Sequence, residues 1–259
     1  MERDSRRAGG GADGEGRRAV PFILMCGRYA TTRSNADLST FFEAVDVAEP
    51  LRVSWNVAPT DPVPLIRMST RAHASEQESG AEKGRVLDTA RWGLVPHWAA
   101  DLRGGARMIN ARAETVATLR SFAPSFAKRR CLVPADGWFE WVRDGKQKQP
   151  FYMTPRDGKP LAFAGLWSAW GPESVLTCSV VTTAALGGLA RVHDRMPLIL
   201  PAERWADWLA GGGDPEELLR PLSESDLEAI EVRPVGPEVG NVRNNGPELL
   251  ERRPEVTLF

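Results

Sequence analysis

Short strand-like segments recur between residues 52 and 185 and limit the folds open to this chain. Alternating or β-branched apolar residues bounded by turns predict strands, here at 52–68, 86–98, 131–142, 150–155, 160–170 and 175–185. Helical apolar spacing predicts short helices at 37–45, 111–119, 121–129 and 201–213. Strands at irregular spacing with short helices between them predict a single α+β domain. We expect a curled, mainly antiparallel, barrel-like sheet with the helices at its periphery.

Two segments fall outside this pattern. Residues 1–18 mix arginine, glycine and acidic residues without apolar periodicity, which predicts disorder. We expect residues 1–25 as a whole to be a disordered or non-native extension that is absent or removed from the working protein. The apolar run before Cys26 leaves a bacterial lipoprotein signal as an alternative, although such signals place a small residue, not methionine, before the cysteine. Residues 69–85 are polar and aperiodic, and predict a surface insertion in a domain spanning 26–255.

The charge and the cysteine content argue against several classes of function. The chain has 33 Lys+Arg against 34 Asp+Glu, so nucleic-acid binding requires a local basic patch. Three cysteines without a C-x-x-C spacing argue against a disulfide framework or a zinc ribbon, and favour a reduced, cytoplasmic setting. No apolar run approaches the ~20 residues that span a bilayer, so we expect no membrane partner. Since phosphate-loop, metal-cluster and dinucleotide motifs are absent from the sequence, we also expect no cofactor and no metal.

Six motifs stand in order along the chain: "MCGRY" (25–29), "WNVAPT" (55–60), "RWGLVPHWA" (91–99), "MINARAET" (108–115), "GWFEW" (137–141) and "VHDRMP" (192–197). Together they resemble the SOS response-associated peptidase (SRAP) family of abasic site processing proteins, over roughly residues 26–255. The resemblance implies an abasic-site sensor that crosslinks itself to abasic sites in single-stranded DNA and protects them during the DNA damage (SOS) response. We expect it to act as a monomer, through a mature N-terminal cysteine that corresponds to Cys26.

The chemistry of an N-terminal cysteine explains why Cys26 matters. An abasic site exposes an aldehyde; an α-amine condenses with it to a Schiff base, and a thiol on the next carbon closes a five-membered thiazolidine. An α-amine titrates at about 7.7–8.0 and a thiol near 8.5, so both nucleophiles are partly available at neutral pH. An internal cysteine has only an amide nitrogen, so we expect Met25 to be the true start or the chain to be cut after it. The alternative is that Cys26 is a small buried core residue.

The resemblance assigns three more catalytic residues. Asn110 is assigned to holding the sugar and the terminal amine, which suits an amide that both donates and accepts hydrogen bonds; a helix N-cap is the alternative. Glu140 is assigned as catalytic, and a carboxyl beside the aromatic rings of "WFEW" is expected to have a raised pKa; a solvent-facing glutamate is the alternative. His193 is assigned to sugar ring opening and Schiff-base chemistry, and a structural histidine is the alternative.

DNA contacts are expected from residues near these groups. Arg28, Arg112 and Arg195 each lie within two residues of a proposed catalytic group, and a guanidinium suits phosphate. Because the net charge is balanced, intramolecular ion pairs are the alternative for each arginine. Trp92 and Trp98 are expected to stack on bases or wedge between them beside the lesion, or else to be core residues.

Two other functions compete with the crosslinker. Cys26, His193 and Glu140 could form the nucleophile, base and orienting group of a thiol peptidase, with hydrolase or lyase-like activity on the chain's own first 25 residues or on a DNA adduct. The third hypothesis is a module that binds single-stranded DNA without a covalent step. Gel analysis under denaturing conditions separates the three, because only the first gives a DNA band shift that survives denaturation.

Overall fold

The computed structural model describes residues 26–69, 84–144 and 147–254 of the chain. The expected extension at 1–25 and most of the expected insertion at 69–85 lie outside the described residues. Within these ranges, no helix has the length and apolar character needed to cross a bilayer.

Thirteen strands and six α-helices make up the described fold. The strands are β1 (Tyr29–Thr31), β2 (Ala44–Asp46), β3 (Ser54–Val57), β4 (Pro62–Met68), β5 (Arg85–Trp92), β6 (Asn110–Arg112), β7 (Arg130–Ala135), β8 (Gly137–Asp144), β9 (Gln147–Pro155), β10 (Leu161–Trp170), β11 (Val175–Ala184), β12 (Arg195–Pro197) and β13 (Ile230–Pro234). The helices are α1 (Asn35–Phe42), α2 (Ala113–Val116), α3 (Ala123–Lys128), α4 (Trp205–Leu209), α5 (Pro215–Leu219) and α6 (Glu224–Leu227).

The strands form two sheets, one of which closes on itself. The smaller sheet has the order β13-β9-β8-β1-β3, and the larger has the order β12-β11-β10-β7-β4-β5-β2, with β6 beside β11. A parallel pairing of β11 with β5, in which Cys178 lies opposite Trp92, joins the ends of the run β11-β10-β7-β4-β5. Closure removes the free edges that an open sheet would expose. The predicted α+β class with a curled, mainly antiparallel, barrel-like sheet is confirmed.

Most predicted elements form, with shifted boundaries. The predicted strand 52–68 is two strands, because residues 58–61 form a turn in which the Asp61 carboxylate accepts a hydrogen bond from Ala58 N at 2.9 Å. The predicted strand 86–98 ends at Trp92, since the next residue, Gly93, has a φ of 127° that favours glycine. The predicted helix 111–119 shortens to α2, because the first two of its residues pair with β11 in β6.

The predicted helices at the two ends of the domain also shorten. The segment 37–45 is helical only to Phe42; Glu43 takes a left-handed conformation with φ 51°, and the chain then enters β2. The segment 201–213 forms a 3-10 turn followed by α4, and three left-handed glycines, 211–213, follow the helix. These glycines satisfy the stop signal that the sequence predicts.

The main core cluster lies between the two sheets, where aromatic rings from both meet. Tyr29 of β1 packs edge-to-face on Trp92 of β5 at 5.1 Å and on Phe163 of β10 at 6.2 Å. Trp138 of β8 packs edge-to-face on the same Phe163 at 6.0 Å. Such pairs add to the burial of large apolar surfaces. The short strand β1 is thereby fixed in place immediately after Cys26.

Candidate functional site

Cys26 begins the described chain, three residues before β1, and lies buried against β8 and β12. Its backbone N–H donates to Oε1 of Glu140 at 2.7 Å, and its Sγ lies 4.0 Å from the carbonyl oxygen of Arg195. Its φ of 45° is left-handed, a conformation that costs energy in a residue with a Cβ. The nitrogen of Cys26 is therefore contacted by Glu140, 114 positions later in the sequence, and its sulfur by Arg195, 169 positions later.

Glu140 is a carboxyl buried within a β-strand. Successive side chains of β8 point to opposite faces: Trp138 lies in the main core cluster, while Phe139 packs with Tyr152 in a separate cluster on the other face. Glu140 therefore points to the same side as Trp138 and is only 3% exposed. Burial raises the pKa of its carboxyl above the ordinary value; the nearby His193 and the hydrogen bonds from Cys26 oppose that rise.

The thiol of Cys26 is held in its protonated form by its surroundings. Burial raises the pKa of the Cys26 thiol well above its ordinary value, and the neighbouring Glu140 raises it further by charge and hydrogen bonding. The positive charge of Arg195 acts in the opposite direction. A thiol in this setting is a weak nucleophile until a base removes its proton, so the arrangement suits a step in which sulfur and a proton acceptor act together.

His193 follows the 3-10 turn Gly187–Arg191 and is mostly buried. Its Nδ1 accepts a hydrogen bond from the backbone N–H of Arg195 at 3.0 Å, and Oδ1 of Asp194 lies 2.9 Å from the same nitrogen. The contact with Arg195 requires a free lone pair on Nδ1, because a backbone N–H donates only to a lone pair. A hydrogen bond from Nδ1 to the Asp194 carboxylate would instead require a proton on Nδ1. While Arg195 donates, the proton of a neutral imidazole is on Nε2, the nitrogen away from the backbone.

Strand β11 brings the other two motifs beside this cluster. Asn110 on β6 pairs with Val180 of β11, and Arg195 on β12 pairs with Ala184 of the same strand. The indole N–H of Trp92 donates to the carbonyl of Ile109 at 2.9 Å, which fixes the residue immediately before Asn110. The structure thus brings Cys26, Glu140 and His193 together and places Asn110 on the neighbouring strand.

The arginines expected to contact DNA differ in their availability. The Arg28 guanidinium donates to Oδ1 of Asn56 at 2.8 Å and to the carbonyl of Val239 at 2.9 Å, so it joins β3 to the C-terminal 3-10 turn Pro237–Gly240. Arg195 pairs with Glu114, which is the ion-pair alternative for that residue. Arg112 on β6 is exposed to solvent.

The two tryptophans expected to contact DNA are in opposite environments. Trp92 is 1% exposed inside the main core cluster, so no base can stack on it, and its assignment to DNA contact is wrong. Trp98 is 49% exposed, with the guanidinium of Arg120 lying 5.0 Å from its ring. The pairing of an exposed ring with a cation suits a base or a phosphate.

Sequence reasoning missed several residues that organise the site. Glu114 and Asp194 lie inside the motifs "MINARAET" and "VHDRMP" but received no role, and their position beside assigned residues was the available signal. Asn56 of "WNVAPT" is buried, and its amide donates to the carbonyls of residues 239, 241 and 244. Among the described residues, no three His, Cys, Asp or Glu side chains are grouped to hold a metal ion.

Several curated proteins similar to this chain share the name abasic site processing protein. YoqW of Bacillus subtilis (strain 168) is 36% identical over 238 residues, covering 88% of this chain and 99% of the relative. YedK of Escherichia coli (strain K12) is 34% identical over 237 residues, covering 88% and 99%. HMCES of Rattus norvegicus is 30% identical over 234 residues, covering 76% of this chain and 64% of that protein.

Solved structures share the fold. A protein from Bacteroides thetaiotaomicron superposes with a TM-score of 0.71 at 22% identity, covering 88% of this chain and 100% of that one. A phage-related protein from Bordetella bronchiseptica superposes with a TM-score of 0.57 at 32% identity, covering 81% and 94%. The family model described as SOS response associated peptidase (SRAP) matches residues 25–242, and the chain belongs to this family.

Proposed function

We propose that this protein recognises abasic sites in DNA and captures them covalently through Cys26. The relatives named as abasic site processing proteins support the substrate. The observation that carries the proposal is the 2.7 Å hydrogen bond from Cys26 N to the buried carboxyl of Glu140. A catalytic acid or base must lie within hydrogen-bond reach of the nitrogen it serves, and this one does.

The reaction follows from these positions when Cys26 is the first residue. Its α-ammonium gives a proton to Glu140, and the amine adds to the C1′ aldehyde of the opened sugar to form a carbinolamine. Glu140 returns the proton to the hydroxyl, which leaves as water and gives the Schiff base. This Schiff base carries a proton on its nitrogen; the thiol adds to the same carbon, the C=N electron pair returns to the nitrogen, and the thiol proton passes to Glu140 or His193. One aldehyde, one amine and one thiol thus give one thiazolidine and one water.

The raised pKa of Glu140 suits both halves of this sequence. A carboxyl that titrates nearer to neutral pH than usual both accepts and donates a proton at low cost. We assign His193 to protonating the ring oxygen of the closed sugar through Nε2, and Asn110 to holding the sugar. The partly exposed Trp98 and the exposed Arg112 are the side chains that we assign to the DNA strand. We expect the protein to act on single strands as a monomer.

Residues 1–25 have to be absent for this chemistry, because only then is the nitrogen of Cys26 an amine. The family match begins at residue 25, directly before the cysteine, which supports a working form that starts at Cys26.

A thiol peptidase acting on the segment before Cys26 is the second candidate. The proximity of Cys26, Glu140 and His193 favours it, as these are the residue types of a nucleophile, an orienting group and a base. The raised pKa of the Cys26 thiol argues against it, since peptidases of this kind lower that pKa.

The test uses abasic single-stranded DNA with two forms of the protein, the full chain and the form beginning at Cys26. We expect only the shorter form to give an adduct on a denaturing gel, with an intact mass equal to protein plus DNA minus one water. Cys26→Ala should lose the heat-stable adduct by ~100-fold or more but still be trapped by borohydride as a Schiff base. Cys178→Ala, which removes a buried thiol in the barrel, is the matched control and should react normally.

Three outcomes would count against the proposal or select a rival. An equal adduct from a verified, uncut full chain would show that no free amine is needed. Release of residues 1–25 without any adduct would select the peptidase. Retention on native gels alone, lost with added salt, would select a non-covalent binding module.

A further inference from the structure

We infer that Glu114 is a positioning residue. Its ion pair with Arg195, called the clamp below, fixes the segment that carries His193 relative to the segment that carries Asn110. This inference rests on the proposed function and deepens it. Glu114 is 52% exposed and lies on α2, four residues after Asn110. It touches none of the reacting groups directly, so its effect passes through Arg195.

The contact between the two side chains is a two-pronged ion pair. Nη1 of Arg195 donates to Oε1 of Glu114 at 2.5 Å, and Nη2 donates to Oε2 at 3.0 Å. Paired parallel hydrogen bonds of this kind fix orientation as well as distance. The hydrogen bond from Arg195 lowers the pKa of the Glu114 carboxyl, which keeps the pair charged at neutral pH.

The same guanidinium also reaches a third element. Nη2 of Arg195 donates to the carbonyl of Thr182 on β11 at 2.6 Å, and the side chain of Arg195 is only 11% exposed. Thr182 is the residue of β11 that pairs with Arg112, two residues after Asn110. One side chain therefore ties β12, β11 and the β6–α2 junction together.

The backbone of Arg195 carries this constraint into the site. Its N–H is the donor to Nδ1 of His193 at 3.0 Å, and its carbonyl lies 4.0 Å from the sulfur of Cys26. A shift of Arg195 would move both contacts at once. Strand β12 has only three residues, too few to fix this backbone by sheet pairing alone.

The Glu114 carboxylate also offsets positive charge on the surface beside the site. Both Arg195 and Arg112 act electrostatically on Glu114, so this carboxylate offsets part of the charge of two guanidinium groups. Removing its charge leaves the positive charge of both arginines less compensated, which strengthens the attraction of this surface for phosphate. The inference therefore predicts opposite changes in two quantities: DNA binding becomes tighter while the reaction becomes slower.

The test compares Glu114→Gln with Glu231→Gln, both in the form beginning at Cys26. Glu231 pairs with Arg233 on the edge strand β13, with contacts of 3.3 and 2.8 Å, and β9 separates that strand from β8. We expect Glu114→Gln to lower the single-turnover crosslinking rate at saturating DNA about tenfold. Its dissociation constant for a DNA carrying a tetrahydrofuran analogue, which has no aldehyde, should fall about two- to fivefold at low salt. Glu114→Asp, which keeps the charge, should retain more of the rate than Glu114→Gln.

Amide hydrogen exchange supplies a readout that needs no reaction. The Arg195 N–H should exchange several-fold faster in Glu114→Gln and unchanged in Glu231→Gln, since only the first loses the clamp. This holds even if the wild type forms no adduct, so failure of the proposed function is distinguishable from failure of this inference. A crosslinking rate within twofold of wild type, an equal loss in Glu231→Gln, or an unchanged Arg195 exchange rate would each overturn the positioning role.

Discussion

Two buried charged groups, Glu140 and Arg130, have the same exposure of 3% but very different surroundings. Arg130 begins β7 and donates to the carbonyls of Phe126, Asp207, Trp208 and Gly212. These carbonyls belong to the last turns of α3 and α4 and to the loop that follows, where helix carbonyls lack partners within the helix. All of these hydrogen bonds are to the main chain, and the guanidinium also lies over the rings of Phe126 and Trp208, which do not titrate.

Glu140 faces groups that can change their protonation. Its hydrogen-bond partner is the nitrogen of a nucleophilic residue, and His193 acts on it by charge. Burial shifts the pKa of both residues towards the neutral form, upwards for Glu140 and downwards for Arg130. Burial of a charge therefore does not by itself distinguish the proposed functional site from a structural one, whereas the titratable neighbours of that charge do.

Neutralising each group in turn should affect different properties of the protein, with the largest effect at Glu140. Glu140→Gln should lower the crosslinking rate by about 100-fold, because the carboxyl no longer transfers protons, and should leave the free energy of unfolding equal or higher. Arg130→Met should lower the free energy of unfolding by about 3 kcal/mol, because it leaves buried carbonyls without donors. Chemical denaturation and single-turnover rates, both corrected for the folded fraction, measure these effects. Loss of stability in Glu140→Gln, or of rate in folded Arg130→Met, would erase the distinction.

The burial of Glu140 should also make the stability of the protein depend on pH. The folded-state pKa of Glu140 is raised above its unfolded value, so the folded form binds the proton more strongly. The wild type should therefore be most stable relative to Glu140→Gln below the ordinary glutamate pKa of about 4.3. That relative stability should fall as the pH rises through the folded value. Urea titrations of both proteins across this window measure it, and a stability difference that is constant with pH would contradict the assigned direction.

The smallest expected effect concerns charges that lie outside the core. Arg112→Ala should lower the slope of log affinity against log salt by about one unit, as expected for one lost phosphate contact. Arg28→Ala should change this slope little and instead lower the free energy of unfolding, because its guanidinium donates to the carbonyls of Val239 and Gly240. Binding isotherms of a non-reactive DNA at several salt concentrations separate the two. Equal slopes in wild type and Arg112→Ala would remove Arg112 from the proposed DNA surface.

The sequence predicts the class of fold and the long strands because apolar and β-branched runs of ten residues bounded by turns are readable, as in β10 and β11. It does not predict β6 or β12, since three residues carry no measurable period and are strands only through pairing with β11. The position of Glu140 was readable from its aromatic neighbours. The sequence does not distinguish the buried Trp92 from the exposed Trp98, because the apolar pattern that predicts a strand includes both residues. In the structure the strand ends at Trp92, and the left-handed Gly93 follows it.

The ion pair between Glu114 and Arg195 could not be predicted from the sequence either. The two residues are 81 positions apart, and charge balance alone indicated only that some arginines form ion pairs. Which arginine has which partner depends on the register of β6 and β12 along β11. Long-range register is set by the packing of the whole domain rather than by local composition.

The contacts of Cys26 have a consequence for biosynthesis. Cys26 lies near the start of the chain, whereas its contacts are made by residues 114 and 169 positions later. At ribosomal rates of about 5–20 residues per second, the terminus waits on the order of ten seconds or more for its last neighbour to be made. The cysteine is therefore translated among the first residues of the domain, but its pocket is completed only after most of the domain has been synthesised. Newly made chains should thus pass through a period in which they carry the proposed nucleophile without the residues proposed to direct it.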